Sequence, residues 1–144
     1  MKRVISGLVR LVHPFPFALA AAVALALALV AGATVGRAAL LGMAMLAIQF
    51  SIEAFNDVFN APADAVAGRS RPLLDCRIPA RVALRVAAVA GPVGLVLAAL
   101  AGPAALVLAL TGYGIGLAYD FRPKASPWSW LPYAMGVPLL PVFE

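Results

Sequence analysis

The sequence has 144 residues, 64% of them hydrophobic and 12% charged, with a net charge of +5 and a single cysteine. Soluble domains carry about 25% charged residues and leave much of their surface in water, so this balance excludes a soluble globular chain. One cysteine excludes an internal disulfide or a Cys-rich metal site, and the positive charge is distributed in a way that needs no nucleic acid.

Lys2, Arg3 and Arg10 precede the first apolar block, Pro14 to Ala33, with His13 at its entry. The block is longer than the apolar core of a secretory signal and similar blocks follow, so it reads as a retained helix. His13, with no companion ligand in sequence, reads as an interfacial residue. Further blocks run over residues 38–55, 82–101 and 103–118, carrying no charge except Glu53 and Arg85 near block ends. Each is close to the ~20 residues a helix needs to cross the hydrocarbon layer. A fifth, partial block covers 128–143. The expected fold is all-α: one polytopic transmembrane bundle over 1–144, with four full spans and the start of a fifth.

Counting spans puts three basic segments on one side of the membrane. They are the N-terminus, the segment holding Arg69, Arg71, Arg77, Arg81 and Arg85, and the segment holding Arg122 and Lys124. The other side carries only Arg37. The positive-inside rule then predicts a multi-pass protein of the cell membrane with a cytoplasmic N-terminus.

The acidic residues Glu53, Asp57, Asp64, Asp75 and Asp120 fall at the same ends as the arginines. Glu53, Asn56, Asn60 and Asp64 recur every three to four residues, which stacks them in one stripe on a helix. Val58 and Phe59 point elsewhere, toward lipid or packed neighbours. Oxygen ligands at a helix end suit Mg²⁺, which takes one or two carboxylates together with phosphate oxygens. Arg69, Arg71 and Arg77 follow, and arginine's planar fork suits phosphate. Residue types alone leave two readings: a site for a metal–diphosphate, or acids and arginines pairing in a solvated loop. Pro62 lacks the backbone donor and is expected to end or kink the helix near Asn60. Further on, Trp128, Trp130 and Tyr133 read as an interfacial aromatic belt, while Tyr119 and Lys124 leave two readings open: part of that interface, or a reach to the same anion from the other side.

The segment Asn56-Asp57-x-x-Asn60-x-x-x-Asp64, with Arg71-Pro72-Leu73 and Arg77-Ile78-Pro79, resembles the first signature of the UbiA family of membrane prenyltransferases. Tyr119-Asp120-Phe121-Arg122-Pro123-Lys124 resembles the family's second-loop Tyr and Lys, and His13-Pro14-Phe15-Pro16 and Trp128-Ser129-Trp130 are similar to family members. The resemblance covers essentially the whole chain. It implies an all-helical fold with spans around a central cavity, and Mg²⁺-dependent transfer of a prenyl group from a prenyl diphosphate to an aromatic or quinone-precursor acceptor. It further implies metal ligation by Asn56, Asn60 and Asp64, diphosphate binding by Arg69, Arg71, Tyr119 and Lys124, and catalytic roles for Asp57, Asp64, Tyr119 and Lys124.

Two departures qualify the resemblance. The family's middle aspartate is Asn60 here, and Cys76 stands where the turn usually has glycine. The family's second Asp-rich motif would lie beyond Glu144, so the chain is expected to be an N-terminal half. It would then be completed by a C-terminal half or a second polypeptide. The alternative expectation is a non-catalytic or degenerate membrane subunit of the same fold. A transporter or channel is disfavoured, because the spans lack mid-membrane charges.

Overall fold

A computed structural model describes the backbone of residues 14–68 and 79–121 and the side chains of 17–68 and 79–119. These form four helices: α1 (Pro14–Val30), α2 (Val35–Val66), α3 (Ala80–Ala101) and α4 (Pro103–Phe121). His13, Arg69, Arg71, Arg77, Cys76, Arg122, Lys124, the aromatic belt and the fifth block lie outside the described residues.

Local chemistry sets the ends of these helices. At the end of α1, Gly32 takes φ +89, its N–H donates to the Leu29 carbonyl, and the Ala33 N–H donates to that of Ala28 at 2.9 Å. This is the Schellman arrangement, which wants glycine because a Cβ is strained at positive φ. Thr34 then caps α2, its hydroxyl accepting from the Arg37 N–H at 3.3 Å. Between α3 and α4 the connection is Gly102 alone, at φ +142, followed by Pro103 in the first helical position.

The chain therefore reverses tightly at both of these turns, and α2 packs against all three other helices. The helix contacts are made of small residues. On α3 the buried positions are Ala83, Ala87, Gly91, Gly94, Ala98 and Ala101, a stripe at three- and four-residue spacing. Its opposite side exposes Val89, Val93, Val96 and Leu100. This inverts the pattern of a soluble bundle. Apolar solvent around a helix gives no drive to bury large side chains, and association comes from close backbone approach. At Gly94 a Cβ would stand 2.7 Å from Ile48 Cγ1 and 3.0 Å from the Ala44 carbonyl oxygen. At Gly42 it would stand 3.1 Å from the Ala21 carbonyl oxygen. Among the described residues, Leu41 and Ser51 are the largest side chains that are fully buried.

Two core clusters divide the bundle lengthwise. One joins Ala28, Ala38, Leu41, Ala98, Ala101 and Ala105, next to the two turns. The other joins Phe17, Ala54, Ala83 and Ala87, with Val58 packed on it, at the opposite end. Arg37 stands at the turn end, near Gly102. Glu53, Asp57, Asp64, Arg81, Arg85 and Tyr119 belong to the other half of the bundle.

Two expectations need correction. Of the two outcomes expected of Pro62, an end or a kink, the first does not occur: α2 runs through it to Val66, where the Ala67 N–H still reaches the Ala63 carbonyl. A proline removes its own donor and crowds the carbonyl four residues back, but the following residues keep their donors and the helix resumes. Nor are there four full spans among the described residues. Only α2 and α3 are both long and apolar enough to cross a membrane; the apolar stretches Phe17–Val30 and Pro103–Tyr119 are shorter. α1 stops at Val30 because the Schellman turn at Gly32 takes the last residues of its apolar block out of the helix.

Candidate functional site at the polar end of α2

At ~1.5 Å per residue, the 32 residues of α2 extend about 48 Å, well beyond a hydrocarbon core of about 30 Å. Its last turns are where the polar residues gather. The buried face of α2 carries Ala44, Ile48, Ser51 and Ala54 and continues into Asp57 and Asp64. Asp57 and Asp64 are 4% and 3% exposed, so two carboxylates sit inside the bundle at this end.

Beside that face runs a second, half-buried row. The Asn56 amide donates to Glu53 Oε2 at 3.5 Å. The Asn60 amide donates to the Asn56 backbone carbonyl at 2.6 Å and also to Asn56 Oδ1. The stripe Glu53–Asn56–Asn60 thus exists as a hydrogen-bonded ladder along one edge of the helix. Asp64 sits with Asp57 on the bundle-facing side. Phe59 is 44% exposed and stacks against Phe55, with centroids 6.1 Å apart.

Tyr119, half-buried, lies near the end of α4. Arg81 and Arg85 are exposed on the first turns of α3. Arg69, Arg71 and Lys124, expected to hold a diphosphate, lie outside the described residues.

The donor set fits a hard divalent cation. Asp57 and Asp64 offer carboxylate oxygens, Asn56 and Asn60 amide oxygens, and no soft ligand stands among them. Among the described residues no group of three or more His, Cys, Asp or Glu converges as an all-protein metal cage. Protein ligands of this number suit Mg²⁺, which completes its shell with water and phosphate.

Deeper in the bundle is a polar joint that sequence reasoning missed. Ser51 Oγ donates to the Ala87 carbonyl at 2.8 Å and lies 2.7 Å from the Tyr113 hydroxyl. Ser51 has one proton, and a carbonyl can only accept, so Tyr113 donates to Ser51. Gly91 makes the joint possible. A Cβ there would stand 2.7 Å from Tyr113 Cζ and 3.0 Å from Ser51 Oγ.

The UbiA prenyltransferase family model matches residues 15–143, nearly the whole chain. The chain belongs to the UbiA prenyltransferase family. Neither the curated proteins nor the solved structures yield a match. Family membership makes this an integral membrane protein with a prenyltransferase type of activity and prenyl-type substrates. The Asn56–Asp64 segment that carries the resemblance is the one in which two carboxylates are buried at the end of the longest helix.

Proposed function

We propose that the chain binds a prenyl diphosphate with Mg²⁺ at the polar end of α2 and takes part in transferring the prenyl group to a lipophilic aromatic or quinone-precursor acceptor. The observation that carries this reading is the burial of both Asp57 and Asp64 on the bundle-facing side of α2, in a member of a prenyltransferase family. In this reading Asn56, Asn60 and Asp64 offer oxygen ligands to the metal, with Asp57 nearby as a further carboxylate. Tyr119 approaches the diphosphate from α4, and Arg69, Arg71 and Lys124 neutralise it from the flanking segments.

Bound Mg²⁺ would supply positive charge where it develops oppositely on the leaving diphosphate. The protein's own part is to fix the carboxylates, to present cations to the departing oxygens, and to line the prenyl tail with apolar helix surface. Excluding water from that surface keeps the allylic cation for the acceptor.

The reading includes a topology. The two long apolar helices α2 and α3 cross, with the Asp57–Asp64 end of α2 and the N-terminus on the cytoplasmic side. The support is the segregation of charge: Arg37 alone at the turn end, the remaining described charges at the other. A cysteine-accessibility scan in intact cells tests this, with positions near Gly32 labelled from outside and positions near Ala67 labelled only after permeabilisation.

Binding of radiolabelled farnesyl diphosphate to the purified chain in nanodiscs, with Mg²⁺ or with EDTA, tests the function. Magnesium-dependent, saturable binding is expected.

A further inference from the structure

Six residues beyond Ser51 on α2 is Asp57, and six residues beyond Tyr113 on α4 is Tyr119. The two helices run in the same direction, because the chain reverses between each consecutive pair: Ile48 of α2 packs at Gly94 of α3, Ala54 near Ala83 and Ala87, and α3 turns into α4 at Gly102. A six-residue step is about 9 Å on each, so whatever aligns Ser51 with Tyr113 also sets Asp57 level with Tyr119.

The Ser51–Tyr113 hydrogen bond does this alignment with unusual constraint. Ser51 is fully buried and anchored to the α3 backbone through the Ala87 carbonyl, so three helices meet at one hydroxyl. Gly91 leaves no slack around the Tyr113 ring. Between the joint and the polar end, Ile52 presses on Gly116, where a Cβ would come 2.5 Å from Ile52 Cδ1. Apolar contacts between small residues allow helices to slide and rotate with little change in area. A directional hydrogen bond to a backbone carbonyl does not, and in an apolar medium an unpaired hydroxyl has no water to turn to.

We propose that Ser51 and Tyr113 are positioning residues: their hydrogen bond, anchored on Ala87, holds α2 against α4 so that Asp57 and Tyr119 meet the metal–diphosphate together. This rests on the function proposed above.

The test uses the full chain in nanodiscs and two readouts. One is Mg²⁺-dependent binding of farnesyl diphosphate. The other needs no ligand: the spin-label distance distribution between Val66→Cys on α2 and Ala118→Cys on α4, in a Cys76→Ser background. Tyr113→Phe keeps the ring and removes only the donor, and Ser51→Ala removes the acceptor. Each should weaken binding about fivefold, the equivalent of one hydrogen bond, and broaden the distance distribution. The double variant should be no worse than Ser51→Ala alone, because that change already removes the Tyr113 bond along with the one to Ala87. Gly112→Ala, whose new methyl meets nothing within 4 Å, should change neither readout. Unchanged binding and unchanged distance width in Tyr113→Phe would overturn the proposal, as would additive losses in the double variant. If the wild-type chain fails to bind the diphosphate, the proposed function falls. The distance width then judges the joint alone: broadening in both single variants supports it, and an unchanged width overturns it.

Discussion

Asp57 and Asp64 lie seven residues apart on α2, two helical turns, and both face the interior of the bundle. That relationship separates them from Glu53, Asn56 and Asn60, which form a half-buried ladder along the neighbouring edge. A carboxylate pair aimed inward at the end of a membrane helix is the arrangement that a cation and an anionic substrate together would stabilise.

Asn60 occupies the place where the resemblance has an aspartate. Asn60→Asp adds a third carboxylate next to Asp57 and Asp64. In the proposed site it should raise Mg²⁺ affinity several-fold and lower thermal stability without metal, through like-charge repulsion. Thermal unfolding in detergent with and without MgCl₂ checks both signs. A variant destabilised equally in the two conditions places the metal elsewhere.

Gly91→Ala should destabilise the bundle. The new methyl meets Tyr113 and Ser51, and Tyr113 cannot withdraw without giving up its hydrogen bond. Overpacking of this kind costs about 1–3 kcal/mol. A lowered unfolding midpoint in detergent is expected for Gly91→Ala and not for Gly112→Ala, where the space is open.

Much of this architecture is legible in the sequence, for a definite reason. Uninterrupted Ala, Leu and Val runs have no stable state in a membrane other than a helix, so the four helices follow from the blocks. The polar ladder follows from the spacing of Glu53, Asn56 and Asn60. The inward face of Asp57 is less visible, since its neighbours in the motif draw the eye to another stripe. The signal was the run of small and buried positions Ala44, Ile48, Ser51 and Ala54, which reaches Asp57 in one further three-residue step. The bond between Ser51 and Tyr113 is not legible at all. Its partners are 62 residues apart, and nothing in either local sequence states which helix faces which.

Pro62 within a continuous α2 yields its own prediction. Pro62→Ala restores a backbone donor for the Val58 carbonyl, so the turns between Asn60 and Val66 should exchange amide hydrogen more slowly, with helix stability gained by about 1–3 kcal/mol. Hydrogen exchange by mass spectrometry on peptides covering 58–68 reads this directly. Faster exchange would mean that the helix in this segment depends on the proline.

Gly102 forms the whole connection between α3 and α4 at φ +142. Gly102→Ala forces a side chain into a conformation that L residues rarely adopt, at a cost of about 1–3 kcal/mol. Its unfolding midpoint should fall, whereas Gly36→Ala, at a helical position with nothing within 4 Å, should leave it unchanged or slightly raised.

The most direct test of the account is equilibrium binding of farnesyl diphosphate to the nanodisc-embedded chain, for the wild type and for Asp57→Asn and Asp64→Asn, with Mg²⁺ and with EDTA. Asparagine keeps size and polarity and removes one charge. Mg²⁺-dependent binding is expected, weakened by at least about tenfold in each variant and abolished by EDTA in all three. Binding of equal strength in EDTA, or in both variants, would contradict it.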